Sequence, residues 1–214
     1  MIHKRIQTVL ITGASSGIGA AFCRQLAKPG INLIIVARRG KSLAKLQRQF
    51  NSTVASIEPV VADLSTIQGI AHVQDIIRQR APVDLLINNA GISAHGSFAE
   101  SSLATQISIT RLQIDAILSL TRGVLPFMRE QNFGRVINVS SIGAFISMKK
   151  TAVYGASKAF LSSFSRSLRQ EVGGYGIKVQ CLCPGMTRTE IHDSATFLDF
   201  DKSRVPNKFW MTPD

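Results

Sequence analysis

The sequence is short of acid and of aromatic rings. Asp and Glu number 13 against 25 Lys and Arg, which leaves a net charge of +12, and Phe, Tyr and Trp make up 7% of the 214 residues. A positive excess of that size raises nucleic acid as a partner. The distribution argues against it. The densest basic pairs are Lys4-Arg5, Arg38-Arg39 and Lys149-Lys150, there is no run of five, and the few rings do not alternate with basic residues as a base-stacking platform requires. No dedicated nucleic-acid partner is expected, and the positive surface suits anionic small molecules instead. Cysteine is scarce too, with three residues. Cys181 and Cys183, in "VQCLC", share one face of a strand and suit core packing better than a disulfide. Metal-ligand spacing is absent, so no metal is expected. Long apolar runs are missing: "LIIVA" is the longest, far short of a membrane span. The first residues lack the apolar core of a secretory signal. Together these absences point to a reduced, cytoplasmic setting with no membrane partner.

What the chain does have is alternation. Short apolar runs, "IQTVLIT" (6–12), "INLIIVA" (31–37), "VASIEPVVA" (54–62), "VDLLIN" (83–88), "GRVINVS" (134–140) and "IKVQCLC" (177–183), are separated by longer helical stretches. One helix is expected to run unbroken from about Leu103 to Glu130, another over 151–172. Strand, helix, strand in repetition means a parallel sheet covered on both faces. The expected fold is α/β, a Rossmann-type doubly wound sheet in three layers, forming a single domain over 1–214. The last stretch differs: "TPD" (212–214) reads as a helix start, with Thr212 as N-cap and Pro213 in the first turn. A chain ending there is expected to be truncated, lacking a last helix and strand and leaving the edge at 177–183 bare.

The motifs fall where ligands of such sheets bind. "TGASSGIG" (12–19) follows the first strand and opens the first helix, the context of a dinucleotide-binding turn. Gly13 permits the tight turn; Gly17 and Gly19 permit close backbone approach. At the end of the second strand, "VARRG" has no acidic residue for a ribose 2′-hydroxyl, while Arg38 and Arg39 offer charge for a 2′-phosphate, which favours NADP(H) over NAD(H). "NNAG" (88–91) and Asp63 are weak signals alone, because turn chemistry or a helix N-cap explains them equally well. Tyr154 and Lys158 lie i, i+4 on one helix face. A phenol titrates near pH 10 and needs a cation to manage protons at neutrality, roughly three pK units or about 4 kcal/mol. Ser141 ends the fifth strand, at the same edge.

These motifs, "TGASSGIG", Asp63, "NNAG", Ser141, "YGASK" and "PGMTRTE", come in an order and spacing that resemble the short-chain dehydrogenase/reductase family, from about Ile6 to Met211. The resemblance implies hydride transfer between NADP(H) and a carbonyl/alcohol pair. Tyr154 would be general acid in reduction and base in oxidation. Lys158 would lower its pKa and hold the nicotinamide ribose, and Ser141 would hydrogen-bond the substrate oxygen. Ser15, Ser16 and Ile18 would lie in the phosphate turn, Asp63, Leu64, Asn89, Ala90 and Gly91 along the adenosine half. Pro184, Gly185, Thr187 and Thr189 would meet the carboxamide and pyrophosphate. A homodimer or homotetramer is expected.

Gln113 stands where the family has an Asn that extends a proton relay, so a slowed or rerouted relay is expected. Substrate contacts are expected from Ser141, Ser93, His95 and Met186, from Ile142, Gly143, Phe145 and Met148, and from a lid over 186–212. Met and Phe there suit a carbonyl with an apolar body. Lys149 and Lys150 could meet an anionic substrate, although an exposed loop pair accounts for them as well. The competing expectation is a nucleotide-binding protein without catalysis, either a redox sensor or a truncated, inactive relative.

Overall fold

The computed structural model describes residues 5–190 and 206–214. Six strands form one parallel sheet: β1 (Thr8–Thr12), β2 (Asn32–Ala37), β3 (Ser56–Val61), β4 (Leu85–Asn88), β5 (Gly134–Val139) and β6 (Ile177–Leu182). They lie in the order β3-β2-β1-β4-β5-β6. Leu10 is in register with Ile34 on one side and Leu86 on the other. The helices are α1 (Gly17–Leu26), α2 (Gly40–Phe50), α3 (Ile67–Arg80), α4 (Leu103–Thr110), α5 (Ala116–Glu130) and α6 (Ala152–Val172).

The strands are apolar on both sides because both sides are covered. Val9, Ile11, Leu33 and Ile35 pack with Cys23 of α1 and Leu43, Leu46 and Phe50 of α2. The intervening Leu10, Ile34 and Val36 pack with Val73 and Ile77 of α3, Leu120 and Val124 of α5, and Leu168 of α6. Period-2 alternation thus divides one strand between two cores. Each fully buried Leu or Ile contributes about 1.5–3 kcal/mol. At the bottom of the sheet the buried Asp84 carboxylate accepts from the amides of Gln7 and Thr8, both at 2.9 Å, and from Gln131. This pins the start of β1 beside β4.

From β1 the chain winds outward to β3, then returns to build β4 to β6 on the other side. The crevice at the C-terminal ends of β1 and β4 is therefore the switch point where such sheets bind ligands. The outer side of β6 carries no paired strand among the described residues.

One expectation changes. The helix expected over 103–130 is interrupted by a π-turn, Arg111–Asp115, between α4 and α5. One extra residue in that turn rotates α5 about its axis relative to α4. At 211–214 the Asp214 carboxylate pairs with Arg24, and Met211 bridges to Thr187. Of the lid expected over 186–212, residues 191–205 lie outside the described ones. No helix among the described residues is long and apolar enough to cross a membrane.

Candidate active site

Two loops lock together at the switch point. The Thr12 hydroxyl donates to the Ile87 carbonyl and accepts from the amides of Asn89 and Ala90, both at 3.0 Å. The Asn89 side-chain amide reaches back to the carbonyls of Thr12 (3.0 Å) and Gly13 (3.2 Å). Gly13 has φ +66°, and a Cβ there would stand 2.8 Å from the Cα of Ala90. A Cβ on Gly19 would overlap the Gly13 carbonyl. Close approach, beyond turn geometry, therefore requires glycine at both. Ser16 caps α1 by backbone only, with no side-chain hydrogen bond to the first-turn amides. Those amides can receive a phosphate. The turn's backbone amides, with Ser15 and Arg39 beside them, fit a dinucleotide pyrophosphate.

The two arginines after β2 act on different groups. The Arg39 guanidinium donates to the Ser15 hydroxyl. The charge of Arg38 acts on Asp63. Burial pulls the Asp63 carboxyl upward, but hydrogen bonds from Ser65 and the Arg38 charge outweigh it, and its pKa lies below the ordinary value. Asp63 is not the cap of α3: its carboxylate accepts from the Ser65 amide and hydroxyl, and Thr66 is the cap. Leu64 packs in the core and has only its backbone to offer a ligand.

Around Tyr154 the elements converge from β5 and α6. The Ser141 hydroxyl caps a short turn by accepting from the Gly143 amide at 3.1 Å. A Cβ on Gly143 would lie 3.4 Å from the Ser141 hydroxyl and 3.6 Å from the Tyr154 ring. Both groups thus border Gly143, where a methyl group would make ordinary van der Waals contact with them. Lys158 is 5% exposed, and its ammonium donates to the Val139 carbonyl at 2.9 Å. It sits 5.7 Å from the Tyr154 ring centroid. Burial pushes the Lys158 pKa down to about 8, with Cys181 and Cys183 pulling the other way. The expected depression of the phenol is not what these residues produce by themselves. Burial raises the Tyr154 pKa, the hydrogen bond with Ser141 lowers it, and the net lies above 10.

Beneath these groups runs a buried polar chain that the motifs did not announce. The Asn88 side-chain amide donates to Thr121 of α5 and to Asn138 of β5, and Asn138 donates to Ser165 of α6. Ser140 donates to the Lys158 carbonyl at 2.8 Å. The signal was available: polar residues at 88, 138, 162 and 165 interrupt otherwise apolar faces, and buried polar groups need partners.

Gln113 lies on the π-turn, fully buried, and its side-chain amide donates to the Ile92 carbonyl. A Cβ on neighbouring Gly91 would be 3.8 Å from the Lys158 ammonium, so Gln113 grips the loop that borders that lysine. Its own side-chain oxygen is buried without a hydrogen-bond partner. Ser93 is buried and His95 half-buried in the loop after β4. The Gly96 amide ties that loop to the Lys150 carbonyl at 3.0 Å. The Ile142 amide donates to the Pro184 carbonyl, and Met211 packs against Gly185, so Met186 joins the same rim. Ile142, Phe145 and Met148 stand exposed there, at 42%, 67% and 51%. No group of three or more His, Cys, Asp or Glu among the described residues could hold a metal ion.

A family model described as short chain dehydrogenase matches residues 7–196. The ketoacyl reductase HetN of Nostoc sp. is 36% identical over 183 residues, 84% of this chain, and the chain spans 63% of that protein. Among solved structures, a short-chain dehydrogenase from Sphingobium yanoikuyae in complex with NADPH superposes with TM-score 0.89 at 34% identity, covering 97% of this chain and 80% of its own. A bulky-bulky ketone specific alcohol dehydrogenase from Comamonas testosteroni gives 0.82 at 31% identity, covering 93% and 77%. With its Gly-rich turn, Ser141, Tyr154 and Lys158 set in a matching fold, the chain belongs to the short-chain dehydrogenase family.

Proposed function

We propose that the protein is an NADP(H)-dependent oxidoreductase that interconverts a carbonyl compound and its alcohol. One observation carries the reading: the Ser141 hydroxyl and the Tyr154 ring both border Gly143, beside a buried lysine, at the switch point of the sheet. NADP(H) supplies or accepts the hydride. Gly13, Ser15, Ser16, Gly17, Ile18 and Gly19 hold its pyrophosphate, with Thr187 and Thr189 of the loop after β6. Arg39 beside Ser15, together with Arg38, offers the charge for the 2′-phosphate. The Asp63-Leu64 backbone and Asn89-Ala90-Gly91 border the adenosine half, and Pro184-Gly185 the carboxamide. The NADPH complex of the Sphingobium relative supports this choice of cofactor.

In reduction Tyr154 gives its proton to the substrate oxygen as the carbonyl carbon takes the hydride; in oxidation it takes the proton back. Ser141 donates a hydrogen bond to the same oxygen, which favours the charge that develops there. The raised pKa of Tyr154 keeps it a protonated acid at neutral pH. The Lys158 ammonium stabilises the phenolate left behind. Gln113 acts one step removed, holding the Ile92 carbonyl and with it the loop next to Lys158.

The rim of Ile142, Phe145, Met148 and Met186 favours a ketone with bulky apolar substituents, in line with the bulky-bulky ketone specificity of the Comamonas enzyme. Ser93 and His95 join that rim from the loop that the Gly96 amide ties to Lys150. Exposed Phe98, Leu103 and Ile107 on and before α4 support self-association as a dimer or tetramer, which sedimentation would measure. Three free cysteines accord with a cytoplasmic setting. The deciding experiment follows NADPH and NADH oxidation against aldehydes and bulky ketones, with Tyr154→Phe as control. Turnover with NADPH that the variant lacks supports the proposal. NADPH binding without turnover on any carbonyl points to the sensor alternative.

A further inference from the structure

Arg39 is already paired with a carboxylate. Its Nε and Nη2 donate to the Ser15 hydroxyl at 3.3 and 3.0 Å, and its Nη1 meets Glu190 at 2.5 Å. Ser15 belongs to the Gly-rich turn; Glu190 lies on the stretch after β6. Between them the Thr189 methyl covers Gly17 so closely that a Cβ on Gly17 would be 2.8 Å away. Residues 187–190 therefore cross the mouth of the turn, anchored at one end by the Thr187–Met211 bridge and at the other by the ion pair. Arg38 is not part of this pair, and its charge is felt at Asp63. One of the two cations offered to a 2′-phosphate is thus already occupied by a carboxylate of the same chain.

We infer that Glu190 is a specificity-determining residue, an internal anion that competes with the 2′-phosphate of NADP(H) for Arg39. This inference rests on the proposed role of Arg39 in holding that phosphate. A 2′-phosphorylated ligand must displace the carboxylate, because one guanidinium edge is committed to Ser15 and the other to Glu190. A ligand without the phosphate leaves the pair intact beneath the strap. Glu190 therefore narrows the preference that the two arginines create. The pair is exposed, 48% and 58%, so its displacement costs about two- to fivefold in affinity, and less at high salt.

The test measures dissociation constants on the full chain by calorimetry, with 2′,5′-ADP and 5′-AMP as probes that differ only in the 2′-phosphate. Glu190→Gln, nearly isosteric at an exposed position, is expected to tighten 2′,5′-ADP two- to fivefold and leave 5′-AMP unchanged. In the Arg39→Ala background the same substitution should do nothing. No change with Glu190→Gln, an equal change for both probes, or an effect that persists without Arg39 overturns the competition. The cofactor reading fails by a different sign: Arg39→Ala that weakens both probes equally, or neither, removes Arg39 from the 2′-phosphate whatever Glu190 does.

Discussion

Replacing Lys158 by Met should make the fold respond differently to pH, by an amount the structure sets. In the unfolded chain this lysine titrates at its ordinary 10.5; burial in the fold brings it to about 8. Between those values the unfolded chain binds more protons, so wild-type stability rises with pH there. Below pH 8 the penalty of holding a buried ammonium is fully present, and above 10.5 it is gone. Each pK unit corresponds to 1.36 kcal/mol, so the pH-dependent part amounts to about 3 kcal/mol. Met fills similar volume without a charge and should lack this dependence. A constant offset of about 1–3 kcal/mol is superimposed, because the substitution removes the donor to the Val139 carbonyl. The offset does not vary with pH, titrating groups remote from Lys158 cancel between the two proteins, and Cys181→Ser with Cys183→Ser in both backgrounds removes the thiols whose charge acts on it. Urea unfolding of both at intervals from pH 7 to 10.5 reads the difference directly. It should move in favour of wild type by about 3 kcal/mol across that window, which corresponds to roughly 6–12 °C in Tm for a chain of this size. A difference flat to within about 0.5 kcal/mol would refute the reasoning, and Lys158 would then be solvated in a way its 5% exposure denies.

Four further outcomes are expected. Tyr154→Phe should lower turnover by about 10²–10⁴-fold, with the NADPH dissociation constant within twofold; preserved turnover would remove Tyr154 as the acid. Gly13→Ala forces a Cβ to 2.8 Å from Ala90 at a left-handed φ, so it should cost more than about 1 kcal/mol and weaken dinucleotide retention; an unchanged melting curve and affinity would contradict the close approach. Gln113→Asn shortens the side chain by one methylene and should release the Ile92 carbonyl, lowering stability by about 1–2 kcal/mol and altering reductase turnover; identical kinetics would sink its positioning role. Cys23 is fully buried with its thiol pushed up to about 12, so a thiol reagent should titrate Cys181 and Cys183 in the native protein and reach Cys23 only after unfolding; three fast thiols would show the core to be open.

The strands were legible because burial on both faces makes each an apolar run, which survives single polar positions such as Asn88 and Asn138. All six strands fall inside the expected runs, each shorter by one to three residues. The π-turn was not legible. "ISITRLQIDAILSL" keeps a helical apolar rhythm through 107–120, and inserting one residue into a single turn changes which side chain points inward without changing composition. Only the buried amide of Gln113 hinted at it, since an amide in a helix core needs a partner that a regular helix does not supply.

The site shows a sharper division. Motif residues that act through backbone, such as Gly13 and Gly19, were readable because glycine is a statement about space. Residues that act through charge were readable in type but not in direction. Arg38 and Arg39 looked equivalent as a pair, yet it is Arg39 that meets Ser15 and Glu190, while the charge of Arg38 is felt at Asp63. Glu190 itself lies far along the chain from Arg39, so no local pattern could couple the two. The same holds for the Tyr154–Lys158 pair. Spacing put both on one helix face and suggested that the ammonium depresses the phenol. Burial was the missing quantity, and it penalises both charged forms at once: the lysine falls to about 8 and the tyrosine rises. A shared dry environment therefore keeps the protein's own groups close to a neutral phenol beside a weakly held ammonium proton, which is the state a proton donor needs before reduction and the wrong one for oxidation at neutral pH.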